Sequence, residues 1–288
     1  MKQGANAKTT DRWSAGALYV LFAFTVVTLI GFATFGVNPA LLTKVPQAAG
    51  FYSLAFRFFA VTHVWLAWLV LALFLTRHVG ARWMPAFVGL YLVSLSSELW
   101  GTTTGLPFGE YSYSEMLNPM WFGHVPIIIP LSWFFMAVPS YALARAVLPT
   151  ADEKWSRVLL ASAVLVSWDL SLDPAMSFAT RYWIWGSSGA YYGMPWLNLF
   201  GWYVTGLALM TALAVMRADE WIAELPVRWL AGFYAVNLVL PIGMNAAAGL
   251  LGAVAAALVA LIVTLIIARR LTLRMNTRHR VFPTAQTT

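Results

Sequence analysis

Asp169 and Asp173 stand four residues apart in the stretch Val164 to Pro174, VLVSWDLSLDP. On a helix that spacing puts both carboxylates on one face, one turn apart. The stretch lies inside an apolar segment, where a carboxylate is costly unless it has a partner or a task. Two carboxylates held together out of water titrate as a pair, and the protonated member is a candidate general acid. Pro174 disfavours helix at the residue before it, so the alternative is a helix that ends at Asp173, with that carboxylate capping the next turn. A third acid, Glu98, lies in SSELWGTTTG at the end of another apolar run. It is either a member of the acid cluster or an interfacial residue bonded by Ser96, Ser97 or Thr102.

The elements that must position these acids are membrane helices. Of 288 residues 60% are hydrophobic and 10% charged, and the mean hydropathy is +0.72. Soluble domains carry roughly 25% charged residues. The composition therefore predicts a single-domain, all-α integral membrane protein. With no cysteine in the chain, disulfides, thiol catalysis and thiolate metal sites are excluded. No HExxH and no histidine pair at ligand spacing occurs, so neither a metal nor another cofactor is expected. The net charge of +7 comes from basic residues that flank apolar segments. That is a membrane-orientation pattern and not a nucleic-acid stripe.

A spanning helix needs about 20 apolar residues. Eight spans are expected, at 14–36, 52–76, 83–100, 125–148, 157–177, 197–217, 227–244 and 249–268. Pro241, Gly243, Asn245 and Gly249 suggest a reversal between the last two, with one long kinked helix as the alternative. On this count Lys2, Lys8, Arg12, Arg77, Arg82, Arg145, Lys154, Arg157, Arg217, Arg228, Arg269, Arg270, Arg274, Arg278 and Arg280 share one side. The other side has Lys44, Arg57 and Arg181. The positive side is cytoplasmic, which places both termini there, with 1–13 and 269–288 as polar tails.

Glu98, Asp169 and Asp173 then fall in the outer half of the bundle. The connections 101–124 and 178–196 are external, aromatic and glycine-rich, with little charge. Such segments are expected to lie over the bundle as caps or re-entrant pieces lining a cavity. Glu110, between PFG and YSY, is expected to dip into that cavity, and Glu115 to be solvated. His124 could orient a carboxylate or a water, whereas His63 is read first as hydrogen-bonded packing. The cluster Tyr182, Trp183, Trp185, Tyr191, Tyr192, Trp196 and Trp202 is denser than an interfacial belt requires. Aromatic faces stabilise a cation by about 0.5–2 kcal/mol each, so this lining suits a long apolar ligand or a carbocation made from one.

The ordered set SSELWGTTTGLPFGEYSY, HVPIIIPLSWFFM, WDLSLDPAMS and YWIWGSSGAYYGMPWLNLFGWYVTG resembles the membrane carotenoid biosynthesis protein family, which includes carotenoid 1,2-hydratases of the CruF type. The resemblance covers about residues 90–206. It implies addition of water across the terminal double bond of an acyclic carotenoid end group, leaving a tertiary alcohol. It also implies a prokaryotic cell membrane, lipid and carotenoid as partners, and other carotenoid-pathway membrane enzymes as neighbours. Within the matching motifs Trp100, Tyr111, Tyr113, Trp133 and Asn198 join the candidate substrate contacts. Two residues depart from the pattern, Asn118 near an expected glycine and His124 near an expected non-histidine. Both bear on the external cap.

Hydrating an isolated alkene needs a proton donor, a site that tolerates a tertiary cation, and a held water. Asp169 or Asp173 is expected to donate, with Asp169 preferred, while the other carboxylate faces the cation. Glu98 with Thr102, Thr103 and Thr104 would hold the water. One rival is an intramembrane prenyltransferase using a Mg²⁺-bound prenyl diphosphate, for which Asp-x-x-x-Asp is suggestive. A second aspartate-rich motif and basic residues beside it are lacking. The other rival is a protein that only binds or transports carotenoids, which leaves the acids without a task.

Overall fold

The computed structural model describes residues 12–44 and 46–281. Most of the predicted tail 1–13, and residues 282–288, lie outside the described residues. Among the described residues eight long helices carry the fold. They are α1 (Arg12–Gly31), α2 (Pro46–Val79), α3 (Met84–Thr104), α4 (Ile129–Val147), α5 (Lys154–Asp173), α6 (Trp196–Val215), α7 (Val227–Ala247) and α8 (Leu251–Val281). Five are long and apolar enough to cross a membrane: α1 and α5, each with its π-helical extension, and α2, α6 and α7. The chain is an all-α, multi-pass membrane protein. The region 227–268 is two helices and not one kinked helix. The chain reverses over Ala248–Leu250, where Gly249 takes a φ of +76°, a left-handed conformation that glycine adopts without a Cβ penalty. Residues 269–281, expected as a tail, continue α8.

α5 is the central helix, packed against α4, α6 and α8, while α1 packs on α2 and α7. At the end of the bundle where α5 begins, buried Arg157 fixes the packing. Its Nε donates to the Leu148 carbonyl at 3.0 Å and its Nη2 to the Thr150 carbonyl at 2.8 Å. Its Nη1 pairs with Asp219, which also accepts from the Tyr141 hydroxyl at 3.1 Å.

At the opposite end the two aromatic connections form a cap. Tyr111–Tyr113 pairs antiparallel with Trp183–Trp185, in the register Tyr111 with Trp185 and Tyr113 with Trp183. Extended chain alternates its side chains between two faces. Ser112 and Ile184 are therefore exposed, while Tyr111, Tyr113, Trp183 and Trp185 turn inward onto one cavity. Sequence patterning anticipated a cap, but not that two short strands would build it.

Pro174 does not swing Asp173 away. α5 ends at Asp173 and continues as a π-helical turn, Pro174–Ala179. Proline has no N–H, so the Leu170 carbonyl loses its helical partner. The Tyr191 hydroxyl takes that carbonyl at 2.7 Å, and Asn245 Nδ2 takes the next one, Ser171, at 2.7 Å. Both carbonyl groups are thus bonded where the helix passes into the π-helical turn.

Candidate active site

A cavity of about 490 Å³ lies among α1, α2, α3, α4, α5, α6 and α7 beneath the cap. Its walls are largely aromatic and aliphatic, and two carboxylates stand on them, Glu98 from α3 and Asp173 from α5. Both are buried, at 3% and 1% exposure.

Glu98 is surrounded by donors. Trp133 Nε1 donates to one oxygen at 2.8 Å. The Tyr113 hydroxyl donates to the other at 2.8 Å, and the Tyr111 hydroxyl makes a short bond to that same atom. Burial first, and then the charge of Glu98, push both tyrosine hydroxyls well above the usual tyrosine range. They stay protonated and keep donating. Asp173 accepts from Trp183 Nε1 at 2.7 Å and from Asn198 Nδ2 at the start of α6.

Asp169 is one turn back on α5 with 0% exposure, and neither of its oxygens has a hydrogen-bond partner among the described residues. It is not on the cavity wall. The two aspartates do share a helix face as their spacing required, but Asp173 is the member that reaches the cavity.

The aromatic wall is continuous with the acids. Trp133 stacks on Trp202 with ring centres 4.2 Å apart, and Trp202 meets Trp168 edge-on at 6.0 Å. Trp168 Nε1 donates to the Asn237 carbonyl at 3.1 Å. That carbonyl is free because residue 241, four positions on, is a proline. Trp168 and Asn237 both line the cavity, and neither was singled out from sequence. The usable signal was Pro241 in an apolar helix, which leaves one carbonyl in need of a side-chain donor.

Of the residues expected at the site, Trp133, Trp183, Trp185, Tyr111, Tyr113, Asn198 and Trp202 line the cavity with Glu98 and Asp173, as does Tyr182. Others do not. Thr102 and Thr103 donate their hydroxyls to α3 carbonyls, at 2.9 Å to Glu98 and 2.6 Å to Leu99. Helical threonines commonly bond back one turn in this way. Ser97 bonds Thr205 at 2.7 Å instead of Glu98. Trp100 and Trp196 face outward, both 62% exposed, and Glu110 and His124 are exposed. Glu110 is turned out because it follows Gly109 at the entry to the strand, out of phase with the inward tyrosines. Tyr191 is committed to the Leu170 carbonyl, and Tyr192 packs on Phe178.

His63 lines the cavity but is tied to α1. The Thr25 hydroxyl donates to the Leu21 carbonyl at 2.9 Å. Its oxygen is therefore left to accept from His63 Nε2 at 3.1 Å.

A family model described as carotenoid biosynthesis protein matches residues 58–266, a stretch that contains both wall carboxylates and Asp169. The chain belongs to that family. It is also 37% identical over 122 residues to the bisanhydrobacterioruberin hydratase of Haloarcula japonica. That stretch covers 42% of this chain and 41% of the relative, so the match spans about two fifths of the relative's length. No solved structure matches the chain. In this member of the carotenoid biosynthesis family, the cavity is walled by aromatic rings and carries two hydrogen-bonded carboxylates.

Proposed function

We propose that the protein is a carotenoid hydratase, a hydro-lyase type that adds water to the terminal 1,2 double bond of an acyclic (psi) end group. The carrying observation is Glu98 and Asp173 on the wall of one apolar, aromatic cavity. The alkene has no polar handle, so binding comes from apolar burial, at roughly 25 cal/mol per Å². The aspartate pair supplies the proton, and Asp173, being on the wall, delivers it. The π electrons form the new C–H bond and leave a tertiary cation on the adjacent carbon. Asp169 acts on Asp173 through its charge state, one turn away. The faces of Trp133, Trp202 and Trp168 stabilise the cation, by about 0.5–2 kcal/mol each. Water attacks the cation, forms the C–O bond and returns its second proton to a carboxylate. Glu98, held by three donors, is the preorganised anion facing that charge. Alkenes are weak bases, so cation stabilisation carries much of the barrier reduction.

We further read all eight long helices as spans, with the arginine-rich end cytoplasmic and the cap outside. The shared position of Arg77, Arg82, Arg145, Arg157, Arg217 and Arg228 at helix junctions supports this. Expression in a host that makes an acyclic or half-cyclised carotenoid tests the function. A gain of one water mass per acyclic end is expected. Unchanged pigment retained by the purified protein would instead mean binding or transport, and Mg²⁺-dependent consumption of a prenyl diphosphate would mean prenyl transfer.

A further inference from the structure

We propose that the cavity opens sideways into the bilayer between α1 and α2, and that only one end of the substrate enters while the rest of the polyene lies in lipid. This rests on the hydratase reading for the identity of the substrate, but not for the geometry.

The two helices meet at two levels. At the deeper point Thr25 bonds His63 at 3.1 Å, and Phe24 meets Phe59 with ring centres 5.1 Å apart. Nearer the cap Phe35, in the π-helical extension of α1, meets Tyr52 at 5.6 Å. There Gly36 allows the approach, because a Cβ on it would lie 3.1 Å from the Tyr52 hydroxyl and 2.5 Å from the Phe32 ring. About ten residues of α1 and its extension separate the contacts, about 15 Å of helix at 1.5 Å per residue. Between them Val27, Thr28, Ile30 and Gly31 line the cavity.

Val27 and Ile30 are also 53% and 61% exposed. On the α2 side the cavity-lining Ala55 and Phe56 are partly exposed, and Phe51, just beyond the Tyr52 contact, lines the cavity and is 74% exposed. Residues that face both the cavity and the outside are the rim of an opening. Both helices are among the five long and apolar enough to cross a membrane, so the opening faces acyl chains. Its rim is apolar, and the carboxylates lie inside. A volume near 490 Å³ is within the roughly 300–1,000 Å³ that encloses a drug-sized molecule. It takes one end of a carotenoid and not the whole chain.

Two consequences follow for specificity. The protein reads the end group and is indifferent to the far end, so a half-cyclised carotenoid is hydrated at its open end as readily as an acyclic one. A substrate with two open ends is handled one end per binding event.

Gly31 gives a clean test, because a Cβ there meets nothing within 4 Å. Gly31→Phe is expected to narrow the opening, its Cβ meeting no neighbour. Gly16→Phe is the control, since Gly16 is equally unobstructed and about 22 Å away along α1. The whole 288-residue chain in nanodiscs is given an acyclic carotene or a ten-carbon acyclic terpene with the same end group.

Gly31→Phe should lower kcat/KM for the carotene at least tenfold and that for the short terpene less than twofold. Gly16→Phe should change neither. Equal losses on both substrates, or no loss on the carotene, would overturn the opening. Binding is read separately, as the rate at which the polyene quenches tryptophan fluorescence. Gly31→Phe should slow it about tenfold whether or not any water is added, so failure of the hydratase reading is distinguishable. An unchanged rate would refute the opening. Because the chain has no cysteine, Ile30→Cys labelled after folding with a bulky maleimide repeats the block on protein already shown to be folded.

Discussion

Exchanging the partners Asp173 and Asn198 separates a chemical role for the carboxylate from a structural one. In the native site Asp173 accepts from Trp183 Nε1 at 2.7 Å and from Asn198 Nδ2. Both bonds are to a buried carboxylate, and such bonds contribute about 1.5–3 kcal/mol each. Asp173→Asn leaves one acceptor oxygen for two donors and points an amide N–H₂ at another. One donor then goes unpaired, at a cost of about 1–3 kcal/mol. Asn198→Asp alone sets two carboxylates against each other and should be worse. In the double variant Asp173→Asn/Asn198→Asp the amide sits on α5 and donates to a carboxylate on α6. The bond is restored with its direction reversed, and the stability loss should shrink.

Activity should not follow stability. The acid has moved from α5 to α6, and loss of a positioned proton donor costs about 10²–10⁴-fold. Thermal unfolding followed by tryptophan fluorescence and carotenoid mass after incubation give the two readouts. A double variant that recovers both stability and turnover would refute the proton-delivery role and leave Asp173 as a strut.

Trp133→Phe removes one of the three donors to Glu98, a bond of 2.8 Å, while keeping a ring against Trp202. A loss of about 1.5–3 kcal/mol falls on the step where charge develops, so kcat should drop about 10–150-fold with KM little changed. A KM effect alone would argue for packing. Arg157→Leu strands two backbone carbonyls at the far end of the bundle and leaves Asp219 with Arg145, at 3.5 Å, and the Tyr141 hydroxyl. Breaking a buried pair costs roughly 3–5 kcal/mol, and the lower end applies because Asp219 keeps solvent contact. The melting temperature should fall while turnover per folded molecule holds. Tyr111 and Tyr113 have their protonated forms favoured in the folded protein, so their bonds to Glu98 persist through about pH 10 and are lost only as pH rises through the raised values. Ultraviolet titration of wild type and of Tyr111→Phe/Tyr113→Phe should therefore coincide up to that pH.

The helices were legible from sequence because a bilayer demands long apolar runs. The α7–α8 reversal was legible because glycine and proline punctuate it. The acids were legible because a carboxylate in an apolar run is an anomaly. What local pattern could not supply was which neighbours the acids have. Asp169 and Asp173 are equivalent by spacing, and only packing against the cap shows that Asp173 is the one on the wall. Thr102, Thr103 and Ser97 look like partners for Glu98 because they are adjacent in sequence. Its real partners, Tyr111, Tyr113 and Trp133, come from the cap and another helix. The alternation YSY and WIW was the overlooked clue, since period two with aromatics on every second residue predicts that one face of each strand turns inward.

The two prolines that interrupt the helices near the cavity explain why the aromatic wall and the acids hold a common register. Each deletes one backbone donor and exposes one carbonyl: Leu170 on account of Pro174, and Asn237 on account of Pro241. A buried carbonyl without a partner is costly, so each selects a side chain from elsewhere. The Tyr191 hydroxyl binds the first at 2.7 Å and Trp168 Nε1 the second at 3.1 Å. The first bond ties the cap connection to the turn of α5 that carries Asp173. The second ties α7 to the residue immediately before Asp169, and fixes the ring that meets Trp202. Helix interruptions that read as weaknesses in isolation therefore act as the registration points of the site. Replacing either proline with alanine should restore a helical bond, release its aromatic partner, and cost activity more than stability.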